Sequence, residues 1–500
     1  MIPKSGNRFS EKDHARKKSE MTQRLDAMLF DACARFAGAT ALADVGGQLS
    51  YAQLGDAARE TAAALRREGI AADEPVLVAV ANAPDDIAAF LGVWAAGGVT
   101  VPVARSAPEA ATQATRAATG ARFLVTGRGA VARLADAPPP SRPLLKDAAF
   151  ILFTSGSTGA PKGVVLSHAA FVPKLAEINS VLGFSADTRA LLVLQIIFVF
   201  GIWYALLALL NGGRVFMSPR FDPLATMAEA AEHGITDAAF VPTMLRRLVA
   251  TDAAALSPLL ARAKLARIHT GGEPFSAALG ERLRAILPQA TVIDIYGLTE
   301  TCTSNFFGLT APSQPFTGTI GHAARKDRFR IADAEGRELP AGAVGELQIA
   351  TPFVMNGYLD RPDLTNAALA GEFFRTGDLA RLRADGSVEL SGRAKDQINR
   401  AGAKISPLEL DMLIAQHPAV AAALTVGVAD EMTGERIHVL VVPRATGKLE
   451  ESELRAWIGE RVEKYKRPDV IHFGEELPIG RTGKVDREAL RRSIGAKLKA

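Results

Sequence analysis

The stretch Phe153-Thr-Ser-Gly-Ser-Thr-Gly-Ala-Pro-Lys-Gly163 lies between two apolar runs, Ala148 to Leu152 and Val164 to Leu166. Apolar runs on either side of a Gly- and Ser-rich segment predict two strands joined by a turn. Gly156 and Gly159 let the backbone close around an anion, while Thr154, Ser155, Ser157 and Thr158 supply hydroxyl donors. Lys162 adds a positive charge at the end of the loop, which therefore fits a triphosphate. It is not the common P-loop, because Gly163 and a β-branched pair follow the lysine where Ser or Thr and a helix are required. An ordinary surface turn is the alternative, since Gly and Ser collect in turns for conformational reasons alone.

Outward from this loop the chain alternates helical and strand-like stretches. Tyr51–Glu68 and Pro84–Ala96 read as helices and Pro75–Val80 as a strand. Beyond residue 184 come strands at Ala190–Leu194, Arg214–Met217, Ala238–Phe240, Ala266–Thr270 and Thr291–Ile295, with helices between them. That order predicts mostly parallel α/β layers. Residues 317–392 change texture, with short strands at Val344–Ile349 and Leu379–Arg383. Ala384-Asp385-Gly386 then forms a hairpin signal before Val388–Leu390. After residue 394 a compact α+β unit follows. Ser406-Pro407-Leu408-Glu409 opens one helix, and Leu454, Trp457, Ile458, Val462 and Tyr465 share the face of another.

The 500 residues are too many for one simple core. At 48% hydrophobic and 22% charged, the composition is that of a globular enzyme. The net charge of +4 and pI near 9.0 come from Arg and Lys spread along the whole chain, so no nucleic-acid patch is concentrated anywhere. Cys33 and Cys302 are too few and too far apart for a disulfide framework or a zinc site, which points to a cytoplasmic protein. Residues 1–20 are polar and basic without the apolar core of a signal peptide, and read as a disordered extension. Leu191 to Leu210 is long and apolar enough to cross a bilayer, with Gln195 its one strongly polar residue. Gly201 interrupts it and Gly212-Gly213 follows, so a buried strand, a turn near Phe198–Gly201 and a buried helix are expected instead of a membrane span.

Further strings carry chemistry. In Asp294-Ile-Tyr296-Gly-Leu-Thr-Glu300 a strand runs into a glycine turn. Tyr296 could stack on a purine, Thr299 could donate to phosphate and Glu300 could help hold Mg²⁺; a strand-end turn with polar surface residues is the alternative. Arg375-Thr-Gly-Asp378 sets a carboxylate after a turn, suited to both hydroxyls of a ribose or simply to capping that turn. The strings Gly392 to Pro407 and Pro478-Ile-Gly-Arg-Thr-Gly-Lys484 follow. Lys484 taken alone would be a solvated surface lysine.

Together and in this order, the strings resemble the adenylate-forming superfamily: acyl- and aryl-CoA synthetases, luciferases and nonribosomal-peptide adenylation domains. The resemblance extends from about residue 25 to the end. It implies an α/β fold: a large N-terminal domain (residues 21–394) of two α/β layers plus a small β-barrel, and a smaller mobile α+β C-terminal domain (395–500). It also implies ATP, Mg²⁺ and a carboxylic acid. Thr154 to Lys162 would grip the β- and γ-phosphates. Gly271, Gly272 and Glu273 would lie along the adenine and acyl-adenylate, with Asp294 to Tyr296 completing the purine slot. Thr299 would contact the α-phosphate, Glu300 the Mg²⁺, and Asp378, with Arg393 nearby, the ribose. Lys484 would bridge the carboxylate and α-phosphate. Lys395 occupies the pivot, and rotation there would present the Gly402 loop to coenzyme A.

The acid pocket departs from common members. Leu194-Gln-Ile-Ile-Phe198-Val-Phe-Gly201 places Gln195 where many relatives carry proline and Phe198 where they carry histidine. Val199 stands where amino-acid-activating domains use an Asp to hold the substrate ammonium. An unpaired buried ammonium would cost several kcal/mol, which argues against an α-amino acid. Phe198, Val199, Phe200, Trp203, Met244 and Leu298 are candidates for an apolar slot taking an aryl or aliphatic acid, with core packing the alternative. No carrier-domain signature is present, so the thiol acceptor is expected to be coenzyme A or, alternatively, a separate acyl carrier protein.

Overall fold

The computed structural model describes residues 23–137, 139–154, 161–444, 449–480 and 484–497, and among these the strands form four sheets. The basic extension at residues 1–20 lies outside the described residues.

A seven-stranded sheet contains Pro75–Val80 and Val99–Ala104 at its centre, paired in parallel. Every residue of Pro75–Val80 is buried, as a strand covered on both faces requires. Ala148–Thr154 and Lys162–Ser167 pair antiparallel in the same sheet, Thr154 opposite Lys162, so the Gly- and Ser-rich loop does join two strands. The phosphate-loop candidates Ser155, Gly156, Ser157, Thr158 and Gly159 themselves lie outside the described residues.

A nine-stranded sheet forms the second layer. Thr40–Asp44, Arg214–Met217, Arg189–Leu192, Asp237–Phe240, Arg267–Gly271 and Thr291–Tyr296 run parallel across it, and antiparallel strands close both edges. Between the layers, the helices Pro84–Ala95, His168–Leu182 and Val199–Leu210 share one continuous core with residues of both sheets. Trp94 is one of its largest fully buried side chains. It meets Phe150 edge-on at 5.1 Å and donates from its indole N–H to Ala149 O at 2.8 Å.

The apolar run Leu191–Leu210 is divided between the strand ending at Leu192 and the helix beginning at Val199. The turn falls earlier than expected, at Gln195–Phe198, with the Phe198 N–H donating to Gln195 O at 3.2 Å. Gly201 lies inside the first helical turn because the chain folds back on itself there: a methyl group on it would meet Gln195 O at 2.8 Å. Among the described residues no helix is long and apolar enough to cross a membrane.

Residues 328–393 contribute a five-stranded antiparallel sheet. Its hairpin Phe373–Leu382 to Val388–Arg393 turns at Asp385-Gly386, where Gly386 takes φ +81°. The last sheet lies within residues 398–473 and carries the helices Pro407–Ile414, Glu451–Gly459 and Arg487–Lys497. One expectation fails here. The helix of Leu454 and Trp457 ends at Gly459, so Val462 and Tyr465 lie beyond it. Arg467 donates to Gly459 O at 2.7 Å, and this terminal carbonyl bond replaces the further turn that periodicity predicts.

Candidate active site

A cleft of about 880 Å³ opens at the carboxyl ends of Arg267–Gly271 and Thr291–Tyr296. Ligand sites in parallel sheets favour that edge, where strand-end loops converge. Its walls come from both parallel layers, the antiparallel sheet and the C-terminal unit.

Two glycines determine the shape of the floor. A methyl group on Gly271 would fall 2.2 Å from Ile295 O, so the neighbouring strands can approach only without a side chain there. A methyl on Gly297 would fall 2.1 Å from Ser304 N. Gly271→Ala should therefore part these strands and destabilise the protein by about 3 kcal/mol, read by chemical unfolding. Unchanged stability would mean the strands separate at no cost.

The loop after Tyr296 is held in an unusual conformation. Cys302, Thr303 and Ser304 are three successive left-handed residues, at φ +51°, +69° and +51°. Their strain is offset by Thr303 N–H to Leu298 O and Asn305 N–H to Tyr296 O, both 2.8 Å. Below the loop, buried Lys174 pairs with Glu177 at 2.8 Å and Asp327 at 3.1 Å, and Asn305 donates to Asp327 at 2.8 Å. Cys302 is buried within this support, its thiol pushed up to about 12 by burial.

Above it, Thr299 and Glu300 open onto the cleft. Glu300 Oε1 accepts from the Tyr358 hydroxyl at 2.8 Å, and Lys162 Nζ lies 5.1 Å from the centre of the same ring. Tyr358 thus links the two strings, a role that sequence reasoning missed. Only the Gly357-Tyr358 pair ahead of a Pro-containing turn marked its position.

Asp378 is buried and accepts from the Tyr296 hydroxyl at 2.7 Å and from Arg393 Nε at 2.9 Å. The carboxylate raises the Arg393 pKa above its ordinary value, and burial followed by the same carboxylate raises that of Tyr296. Asp294 faces the cleft from the strand above Tyr296, and burial pushes its pKa up to about 8. A carboxyl with a folded pKa above its unfolded value keeps a proton that the unfolded chain releases. Stability therefore falls as pH rises from about 4 to about 8 and levels off above that. Asp294→Asn should remove this slope in the ligand-free protein, narrowing the stability difference between pH 5 and pH 8 by a few kcal/mol, roughly 1.4 per pKa unit. An unaltered difference would show that Asp294 is already ionised at neutral pH.

Lys484 comes from the C-terminal unit and projects into the cleft. A methyl group on Gly272, which has φ +80°, would lie 2.8 Å from its Nζ. Burial holds its pKa below the ordinary lysine value, with Glu273 opposing and Arg393 reinforcing the effect. Among the described residues no carboxylate lies within ion-pair distance of this ammonium. The Glu273 carboxylate is held by other donors: Arg246 Nη2 and the Thr243 hydroxyl each donate to it at 2.8 Å. Glu273 still lines the cleft beside Gly272, where the resemblance sets it. The carboxylate is tied to its own protein, and sequence alone marked neither Thr243 nor Arg246.

Of the apolar pocket candidates, Leu298 lines the cleft. Trp203 does not: it is fully buried and stacks on Phe200 at 5.2 Å within the core. Met244 packs between two core clusters, and Phe198 and Val199 form the start of the helix Val199–Leu210, away from the cleft lining. Apolar character signalled burial here and could not distinguish the core from the cleft wall. Lys395 lies exposed in the short turn Ala394–Asp396 at the cleft edge. Gly402 is exposed at the tip of the hairpin Ile398–Arg400 to Ala403–Ile405, outside the cleft lining in this arrangement. Residues 481–483, which precede Lys484, lie outside the described residues.

Sequence comparison identifies the family. The profile for the AMP-binding enzyme matches residues 29–139 and 130–359, and that for the AMP-binding enzyme C-terminal domain matches 409–484. The chain belongs to the AMP-binding enzyme family, and it is an AMP-forming acid–thiol ligase of the acyl-CoA synthetase type. A sulfoacetate–CoA ligase of Cupriavidus necator is 33% identical over 413 residues, 81% of this chain and 76% of the relative. A feruloyl-CoA synthase of an Amycolatopsis species is 29% identical over 481 residues, 91% and 96% of the two chains. Among solved structures, ATP-bound MatB from Rhodopseudomonas palustris superimposes with a TM-score of 0.84 at 25% identity, covering 95% of this chain and 99% of that one.

Proposed function

We propose that the protein activates an aryl or aliphatic carboxylic acid with ATP, forming acyl-AMP and pyrophosphate, and then transfers the acyl group to the thiol of coenzyme A. The observation that carries this reading is Lys484. A half-buried, partly desolvated ammonium with no ion-pair partner among the described residues, aimed into a cleft shared by two structural units, is a site for anions. Adenylation needs such a site, because a carboxylate oxygen must approach the α-phosphorus of an anionic nucleotide. Lys484 would offset that repulsion and stabilise the charge that develops during attack.

The remaining residues divide the nucleotide among them. Tyr296 and the Gly271-Gly272 backbone would bound the purine, and Asp378, positioned by Tyr296 and Arg393, would accept from the ribose hydroxyls. Lys162 and Thr299 would meet the phosphates. Mg²⁺ fits Glu300, since one carboxylate together with nucleotide phosphates is a usual magnesium donor set. The ion would supply charge neutralisation on the phosphates, and Tyr358 would hold the Glu300 carboxylate in place. The exclusion of an α-amino acid rests on the sequence match at Val199, which opens the helix Val199–Leu210 and is not among the cleft-lining residues in this arrangement. Rotation about Lys395 would then bring the Gly402 hairpin to the cleft for the thiol step. A cytoplasmic setting, which keeps ATP and reduced thiols, suits both steps. The test is a panel of aryl, short-chain and long-chain acids scored by pyrophosphate exchange and by AMP release with and without coenzyme A. Exchange with no acid would reject the reading. Exchange without thioester formation would reject coenzyme A and favour a carrier-protein thiol.

A further inference from the structure

We propose that Glu273 is a latch that holds Lys484 over the cleft, a positioning residue for acid activation that acts through the backbone of Val485. The inference rests on the acid-activation reading above. The Glu273 carboxylate is nearly buried and collects donors from two structural units. On one side Thr243 N–H at 3.1 Å, the Thr243 hydroxyl and Arg246, all from the helix Pro242–Ala250, fix its orientation. On the other, Val485 N–H donates to Oε1 at 3.0 Å.

That last donor is available because of how its own hairpin pairs. Gly480 N–H donates to Lys484 O and Asp486 N–H to Pro478 O, both at 2.8 Å, which leaves the Val485 N–H facing outward. One residue before it, Lys484 is carried to the position above Gly272. The other end of the segment is tied within the C-terminal unit, where Arg487 donates to Asp411 at 2.6 Å. The Ser406 hydroxyl also bridges the two units, to Ser391 O and against Gly392, three residues ahead of Lys395, and a swing about that joint would move it little. Val485 is the neighbour of Lys484, so a swing that withdraws Lys484 would break the Val485–Glu273 bond. Its energy therefore enters the orientation that presents Lys484 and not the one that withdraws it.

Two single variants and their combination test the latch. Val485→Pro deletes the donor and leaves Glu273 with Arg246 and Thr243, while Glu273→Gln removes the charge that strengthens the bond. Each should lower acid-dependent pyrophosphate exchange about tenfold, the scale of one charge-assisted hydrogen bond. The double variant should fall no further than the more impaired single one. With Val485→Pro, thioester formation from supplied acyl-AMP should stay within twofold of the parent. Additive losses, or wild-type exchange in Val485→Pro, would overturn the proposal. A second measurement needs no acid: spin labels at Leu309→Cys and Met432→Cys, both exposed, report the distance between the units, and buried Cys33 and Cys302 stay unlabelled. Both latch variants should broaden that distribution, and an unchanged one would overturn the latch. If the parent exchanges no acid, the acid-activation reading fails, and the distance measurement still decides the latch.

Discussion

Lys484→Ala is expected to lower acid-dependent pyrophosphate exchange at least about a hundredfold, the scale of removing one donor that acts on transition-state charge. The ammonium is half-buried above Gly272 with no ion-pair partner among the described residues, so it is free to meet an approaching carboxylate and phosphate. Thioester formation from supplied acyl-AMP should suffer much less, because that step needs no second anion at the α-phosphorus. Equal losses in both half-reactions would refute this division. The pH profile supplies an independent check. Burial lowers the Lys484 pKa, so its charge is present at low pH and is lost as pH rises through that lowered value. Exchange should therefore decline at a pH below the ordinary lysine pKa of 10.5, and the residual activity of Lys484→Ala should lack that limb. A limb that persists in the variant would assign it to another group.

Asp378→Ala should raise the KM for ATP about a hundredfold while leaving the KM for the acid within a few fold. The carboxylate is buried at the cleft wall and oriented from both sides by Tyr296 and Arg393, which leaves it ready to accept from neighbouring ribose hydroxyls. Two hydrogen bonds to a charged acceptor contribute about 3 kcal/mol or more. Because the variant also leaves Arg393 without its partner, stability should be measured alongside the kinetics. A parallel rise in both KM values would show that Asp378 shapes the whole cleft instead of holding the nucleotide.

Much of the architecture was legible because it depends on local patterns. Pro75–Val80 and Arg214–Met217 read as strands from short β-rich runs, and the structure has them at those bounds. Ser406 was legible as a helix start because its hydroxyl can reach back to the third helical residue, and Glu409 N–H does donate to it, at 3.3 Å. The helix predicted through Tyr465 failed for a non-local reason: Arg467, eight residues past Gly459, takes the terminal carbonyl. Among the site candidates, Leu298 and Trp203 are both apolar neighbours of motifs, yet one lines the cleft and the other lies in the core.

The alternating α/β layers, the antiparallel insert, the α+β C-terminal unit and the residue types that suit nucleotide chemistry are all written in local patterns of the chain. Each follows from periodicity, turn residues or the ordered strings, which act over a few residues at a time. Which of those residues meet is a matter of how the sheets and the C-terminal unit pack together. Tyr296, Asp378 and Arg393 converge although nearly a hundred positions separate the first from the last, because a strand end of one sheet abuts a hairpin of another. Tyr358 joins Lys162 to Glu300 in the same way. Lys484 is partly desolvated and Glu273 gains Val485 only through the packing of the C-terminal unit against the cleft. Burial and electrostatic environment depend on contacts distant in the chain, and no local pattern encodes them.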